Sequence, residues 1–87
     1  MYAVVVRLAI NDLAADLDAL RDQVVPQMSQ APGFVTGFWT RKGDTGLSMI
    51  VFDSADAADA AAESLGSGMP DVARLEDIEV REVVAHA

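Results

Sequence analysis

The sequence predicts an α+β domain: a four-stranded antiparallel sheet with two helices on one of its faces. Three observations predict it. A valine-rich run without turn residues opens the chain, and three further largely apolar runs follow it. Between them lie two stretches with helical spacing and capping residues. The resulting order is strand, helix, strand, strand, helix, strand.

"YAVVVRLAI" (Tyr2 to Ile10) reads as the first strand. Asn11–Asp12 supplies a helix N-cap. The following helix places Leu13, Leu17, Leu20, Val24 and Met28 on one face, with Asp16, Asp18, Arg21 and Asp22 mainly on the others. Pro26 lacks an N–H and clashes with the carbonyl four residues back, so it should kink the helix or split off its last turn. "APG" (Ala31 to Gly33) turns the chain into a second strand from Phe34 to about Lys42. "KGDTG" is a hairpin turn, and Leu47 to Asp53 is the third strand. Asp53 or Ser54 caps an alanine-rich second helix, which Gly66 to Pro70 ends. The last strand runs roughly from Glu76 to Ala85. This is the ferredoxin-like βαββαβ order.

The 87 residues make one domain, 1–87, whose own core is small. The apolar fraction of 52% suits a packed globule. No cysteine is present, so disulfides and thiolate metal sites are excluded and packing or oligomerisation must supply stability. A net charge of −8, with six basic residues spread along the chain, argues against nucleic acid and anionic membranes as partners. Neither a leader nor an apolar run of about 20 residues is seen, which makes a cytoplasmic protein the expectation.

Strand parity points to a partner. Val4, Val6 and Leu8 alternate with Ala3, Val5 and Arg7, and Leu47, Met49 and Val51 with Ile50 and Phe52. On strict alternation Phe34 and Phe38 share one face of the second strand, and Val35 and Trp39 the other. In the fourth strand Ile78, Val80 and Val84 oppose Val83 and Ala85. Both faces come out largely apolar, whereas a sheet with one wet face alternates more cleanly. A second copy covering the open face as a two-fold homodimer resolves this.

The run "PGFVTGFW" after the first helix, and then "GLSMIVFDSADAADAA", resembles the dimeric α+β barrel superfamily, and most of all its antibiotic-biosynthesis-monooxygenase-like branch. Pro-Gly-Phe opens the second strand, and Phe52–Asp53 ends the third strand and leads into the second helix. The resemblance implies a dimeric barrel. It leaves activity open, since that superfamily holds cofactor-independent oxygenases, haem-degrading enzymes and isomerases. The haem-degrading pattern is not matched: Arg7 stands near its asparagine, Ala60 to Ala62 where its tryptophan falls, and the one histidine is His86, next to the C-terminus.

Trp39 and Arg41 share strand parity, and a ring beside a cation suits a flat anionic or phenolic ligand. Packing at a dimer interface is the other reading of Trp39. Arg7, Arg41 and Arg81 all lie in strands and are expected on the face of Trp39; pairing with acidic neighbours such as Glu79 is their other reading. Phe52 completes the candidate ligand-binding set. Asp53, Asp56 and Asp59 lack the company a metal needs and read as a solvated helix start, so neither metal nor cofactor is expected. Met28, Met49 and Met69 read as core filler.

Two readings of function follow. One is a small-molecule-binding barrel for an apolar or aromatic molecule, with monooxygenase-like or isomerase-like chemistry that uses no cofactor. The other is a non-catalytic assembly or ligand-sensing module whose barrel is filled by side chains. No nucleophile–base pair or phosphate loop in the sequence decides between them.

Overall fold

Period-two runs pair with one another, and the two helical stretches cover one side of the sheet they make. The computed structural model describes residues 1–67 and 73–87. Strand β1 (Tyr2–Ile10) leads into helix α1 (Leu13–Ala19), a π-helical turn (Leu20–Val24) and helix α2 (Val25–Ser29). Strands β2 (Phe34–Lys42) and β3 (Thr45–Phe52) form a hairpin, followed by helix α3 (Ala55–Ser67) and strand β4 (Ala73–Glu82). The sheet order is β2-β3-β1-β4, antiparallel throughout. This is the ferredoxin-like α+β arrangement.

The boundaries follow from local chemistry. Asp12 caps α1, its carboxylate accepting from the Ala15 N–H at 3.0 Å. Ser54, rather than Asp53, caps α3 through Ala57 N–H at 3.2 Å. The β2–β3 turn is two residues long, and Gly43 takes φ of 62°, where a side chain is disfavoured. Helix α3 runs past Gly66 to Ser67; residues 68–70 of the predicted terminating loop, with Met69, lie outside the described residues. β4 starts and ends three residues earlier than the sequence predicts.

The core is one layer between sheet and helices. Val4, Val6, Ile50 and Phe52 point at Met28, Ala58 and Ala61. Fully burying a side chain such as Phe52 contributes about 1.5–3 kcal/mol. The small side chains of α3 let that helix lie close to the sheet.

Two predicted side-chain sets are corrected. Phe34 and Phe38 do not share a face. A register shift between Phe34 and Thr36 inserts an extra residue in β2, so Phe34 joins Trp39 on the helix side while Phe38 points outward, 62% exposed. The outer face is also less apolar than strict alternation suggests. Val5, Met49 and Phe38 form an apolar row across three strands, but β4 presents Asp77, Glu79 and Arg81 there. Met49 belongs to that row and not to the core, whereas Met28 is core.

The helical segment carries the second correction. Leu13 and Leu17, expected in the core, are each 44% exposed, while Asp16, expected outside, is 6% exposed. The cause is the π turn. Val25 N–H donates to Leu20 O, five residues back, so this turn holds one residue more than an α-turn. Pro26, which has no N–H and would crowd the preceding carbonyls, sits just after it at the start of α2. With Val24 and Met28 fixed on the sheet, the extra residue rotates α1 and brings Ala19 and Asp16 inward in place of Leu17 and Leu13.

Candidate functional site

A cavity of about 130 Å³ lies between the sheet and the helices. Its floor comes from β1 and β3 through Val6, Leu8, Ser48 and Ile50, with Trp39 of β2 as one wall. The π turn and α2 supply Leu20, Val24 and Met28, and α3 supplies Leu65. Exposed Gln23, Gln27 and Ser64 mark its rim.

Two polar side chains are buried in this otherwise apolar lining, Asp16 on α1 and Ser48 on β3. Neither side chain hydrogen-bonds to any other described residue, and Asp16 forms no ion pair among them. Burial raises the Asp16 carboxyl above the ordinary aspartate value, and the charge of Arg41 lowers it by less. Arg41 itself is tied elsewhere: its Nη1 donates to Leu13 O at 3.2 Å and fastens the end of β2 to the first turn of α1.

The five predicted ligand-binding residues separate into three places. Trp39 lines the cavity, half-buried, and its indole lies over Gly37. Arg41 acts on the cavity through Asp16 without lining it. Phe52 is fully buried in the core, edge-on to Phe34 with ring centroids 6.2 Å apart at 82°. Arg7 and Arg81 stand on the outer face, opposite to Trp39, because they pair in register with Leu47 and Ala3. Their expected convergence with Trp39 is therefore not what the register gives. Arg81 binds Glu79 at 2.8 Å on the surface, and Arg7 lines a shallow depression with Thr40, Arg41, Lys42, Thr45 and Leu47.

Sequence reading missed Asp16 and Ser48. Ser48 had a signal: it is a polar residue at an inward position of the run "LSMIVF". Asp16 had none, because ordinary helical spacing puts it outside.

Among the described residues, no group of three or more His, Cys, Asp or Glu side chains is placed to hold a metal ion, and no helix is long and apolar enough to cross a membrane.

No protein-family model matches the chain, and no protein of curated function matches its sequence. Solved structures do resemble it. One is MupZ from Pseudomonas fluorescens, with a TM-score of 0.70 at 17% identity, covering 91% of this chain and 69% of that one. Another is a dimeric ferredoxin-like protein from an uncultured marine organism, with a TM-score of 0.66 at 11% identity, covering 100% of this chain and 98% of that one. At these identities the likeness is one of fold.

Proposed function

We propose that this protein is a small-molecule-binding homodimer whose two sheets meet through their outer faces and whose cavity holds an apolar or aromatic molecule. The single observation that carries the reading is the cavity itself: an apolar space beside the one tryptophan, into which two mostly buried polar side chains, Asp16 and Ser48, bring oxygens that no other described residue bonds. The outer row of Val5, Met49 and Phe38, and a neighbour described as dimeric, support the second copy. Trp39 is the ligand-side wall, with Arg41 behind Asp16 and Phe52 as the packed support. Arg7 and Arg81 serve the dimer face in this arrangement. The catalytic form of the reading is monooxygenase-like turnover of the bound molecule without metal or bound cofactor, inside the cytoplasm.

One observation favours the second reading, a non-catalytic assembly or sensing module. The Trp39 indole folds back over Gly37 of its own strand, a side chain packed against the fold as in a barrel filled by its own residues.

Native mass spectrometry of freshly purified protein, followed by a toluene titration monitored by tryptophan fluorescence, tests both parts. A dimer with a saturable toluene response is the expected result. A monomer at micromolar concentration overturns the homodimer. A dimer whose fluorescence ignores toluene overturns the cavity reading in favour of the filled barrel.

A further inference from the structure

Resting on that cavity reading, we propose that the molecule held is a neutral apolar compound carrying a hydroxyl group, and that the Asp16 carboxyl is the hydrogen-bond partner of that hydroxyl.

Asp16 is more than nine-tenths buried, lines the cavity, and has no hydrogen-bond or ion-pair partner among the described residues. No side-chain oxygen among the described residues is both sealed from solvent and without a hydrogen-bond partner, so the Asp16 carboxyl, which no described residue bonds, meets the water of the open cavity, and the π turn is what brings it there. A ligand hydroxyl takes the place of that water and donates to the carboxyl. Ser48, buried on the sheet side of the same cavity with its hydroxyl unbonded among the described residues, offers a second contact from the opposite wall.

The chemistry narrows the class of donor. A ligand carboxylate would face Asp16 directly and be repelled. A ligand cation would have to lose its water inside an apolar lining, with the Arg41 charge already acting on the same carboxyl. A hydroxyl donates one hydrogen bond with neither penalty. The volume fits as well: about 130 Å³ is close to the engineered apolar cavity of about 150 Å³ that admits benzene. A single ring with one hydroxyl fills the enclosed part, and longer substituents can leave past Gln23 and Gln27.

The test compares phenol with toluene, which differ by a hydroxyl in place of a methyl. Binding is followed by backbone amide shifts of the full chain and by the ¹³C shift of the Asp16 carboxyl. The expected result is that both ligands move cavity amides but only phenol moves the Asp16 carboxyl signal. In Asp16→Leu the preference for phenol over toluene falls about tenfold or more, the value of one hydrogen bond to a charged group. Asp16→Asn keeps an acceptor oxygen without the charge and retains a smaller preference, about two- to tenfold. If neither ligand moves any cavity residue, the cavity reading itself fails. If both bind, yet the Asp16 carboxyl is silent to phenol, the cavity stands and the Asp16 anchor is overturned. That last measurement uses the unmodified protein, so it holds even where Asp16→Leu does not fold.

Discussion

The indole of Trp39 lies across the backbone of Gly37, two residues earlier on the same face of β2. A Cβ added at Gly37 would stand 2.7 Å from Cη2 and 2.8 Å from Cζ3 of that ring. Glycine is therefore what lets the ring fold back along its own strand. Gly37→Ala must push the indole away, at a cost of about 1–3 kcal/mol for overpacking. Trp39 is the one tryptophan, so its emission reports the move directly. An unchanged spectrum with unchanged stability would show that the ring does not rest there.

Asp16 makes the fold sensitive to pH in a particular sense. Its carboxyl is harder to ionise folded than unfolded, where the value is near 3.8. Between those two values the native state holds more protons, so stability falls as pH rises. Above the folded value the full penalty is present; below 3.8 it is gone. Asp16→Asn is expected to raise Tm at pH 7, and the difference from the unsubstituted protein is expected to close as the pH approaches 3.8 from above. Thermal melts of both proteins across that range check it, and a difference independent of pH would refute the origin.

Phe52 is the anchor of the core, fully buried and edge-on to Phe34. Phe52→Ala should cost about 3–5 kcal/mol, a large share of what a domain of this size possesses. A double-mutant cycle with Phe34→Leu and Phe52→Leu should return a coupling of about 0.5–1.5 kcal/mol. Urea denaturation measures both.

Met49 stands at the centre of the outer apolar row, between Val5 and Phe38. In the proposed homodimer a two-fold interface meets each substitution twice, so Met49→Glu should weaken that association by at least about tenfold. Met49 is 47% exposed in the protomer, so the far-ultraviolet circular dichroism should not change. Sedimentation velocity reads the first effect. Retention of the dimer at the same protein concentration would remove the outer face from the interface.

The element order was legible because it rests on periods of two and of about 3.6, and β1 and β2 run over the predicted residues. What was not legible are three places where one residue is added to a regular element. The extra residue near Val35 sends Phe34 and Phe38 to opposite faces. A second, at Glu76, shifts β4 against β1 between Arg7 and Leu8 and leaves Leu75 and Ile78 both inward. The third is the π turn that trades Leu17 for Asp16. Such insertions carry little residue signature of their own, since any side chain can occupy them, and each reverses or rotates every assignment beyond it. The cavity depends on two of them, which is why Trp39 could be singled out while Asp16 and the separation of Arg7 and Arg81 from it could not.

The segment Leu20–Val24 also bears on how such a chain changes over generations. Loss of one residue there would restore ordinary helical winding and turn α1 by about 100° relative to the sheet. Leu13 and Leu17 would swing inward and Asp16 outward, without any of the three being altered. A single deletion could thus convert a polar-tipped interior into a greasy one, and a single insertion could reverse it. Descendants of one gene could then diverge in the chemistry of this cavity while Leu13, Asp16 and Leu17, compared by letter, looked unchanged.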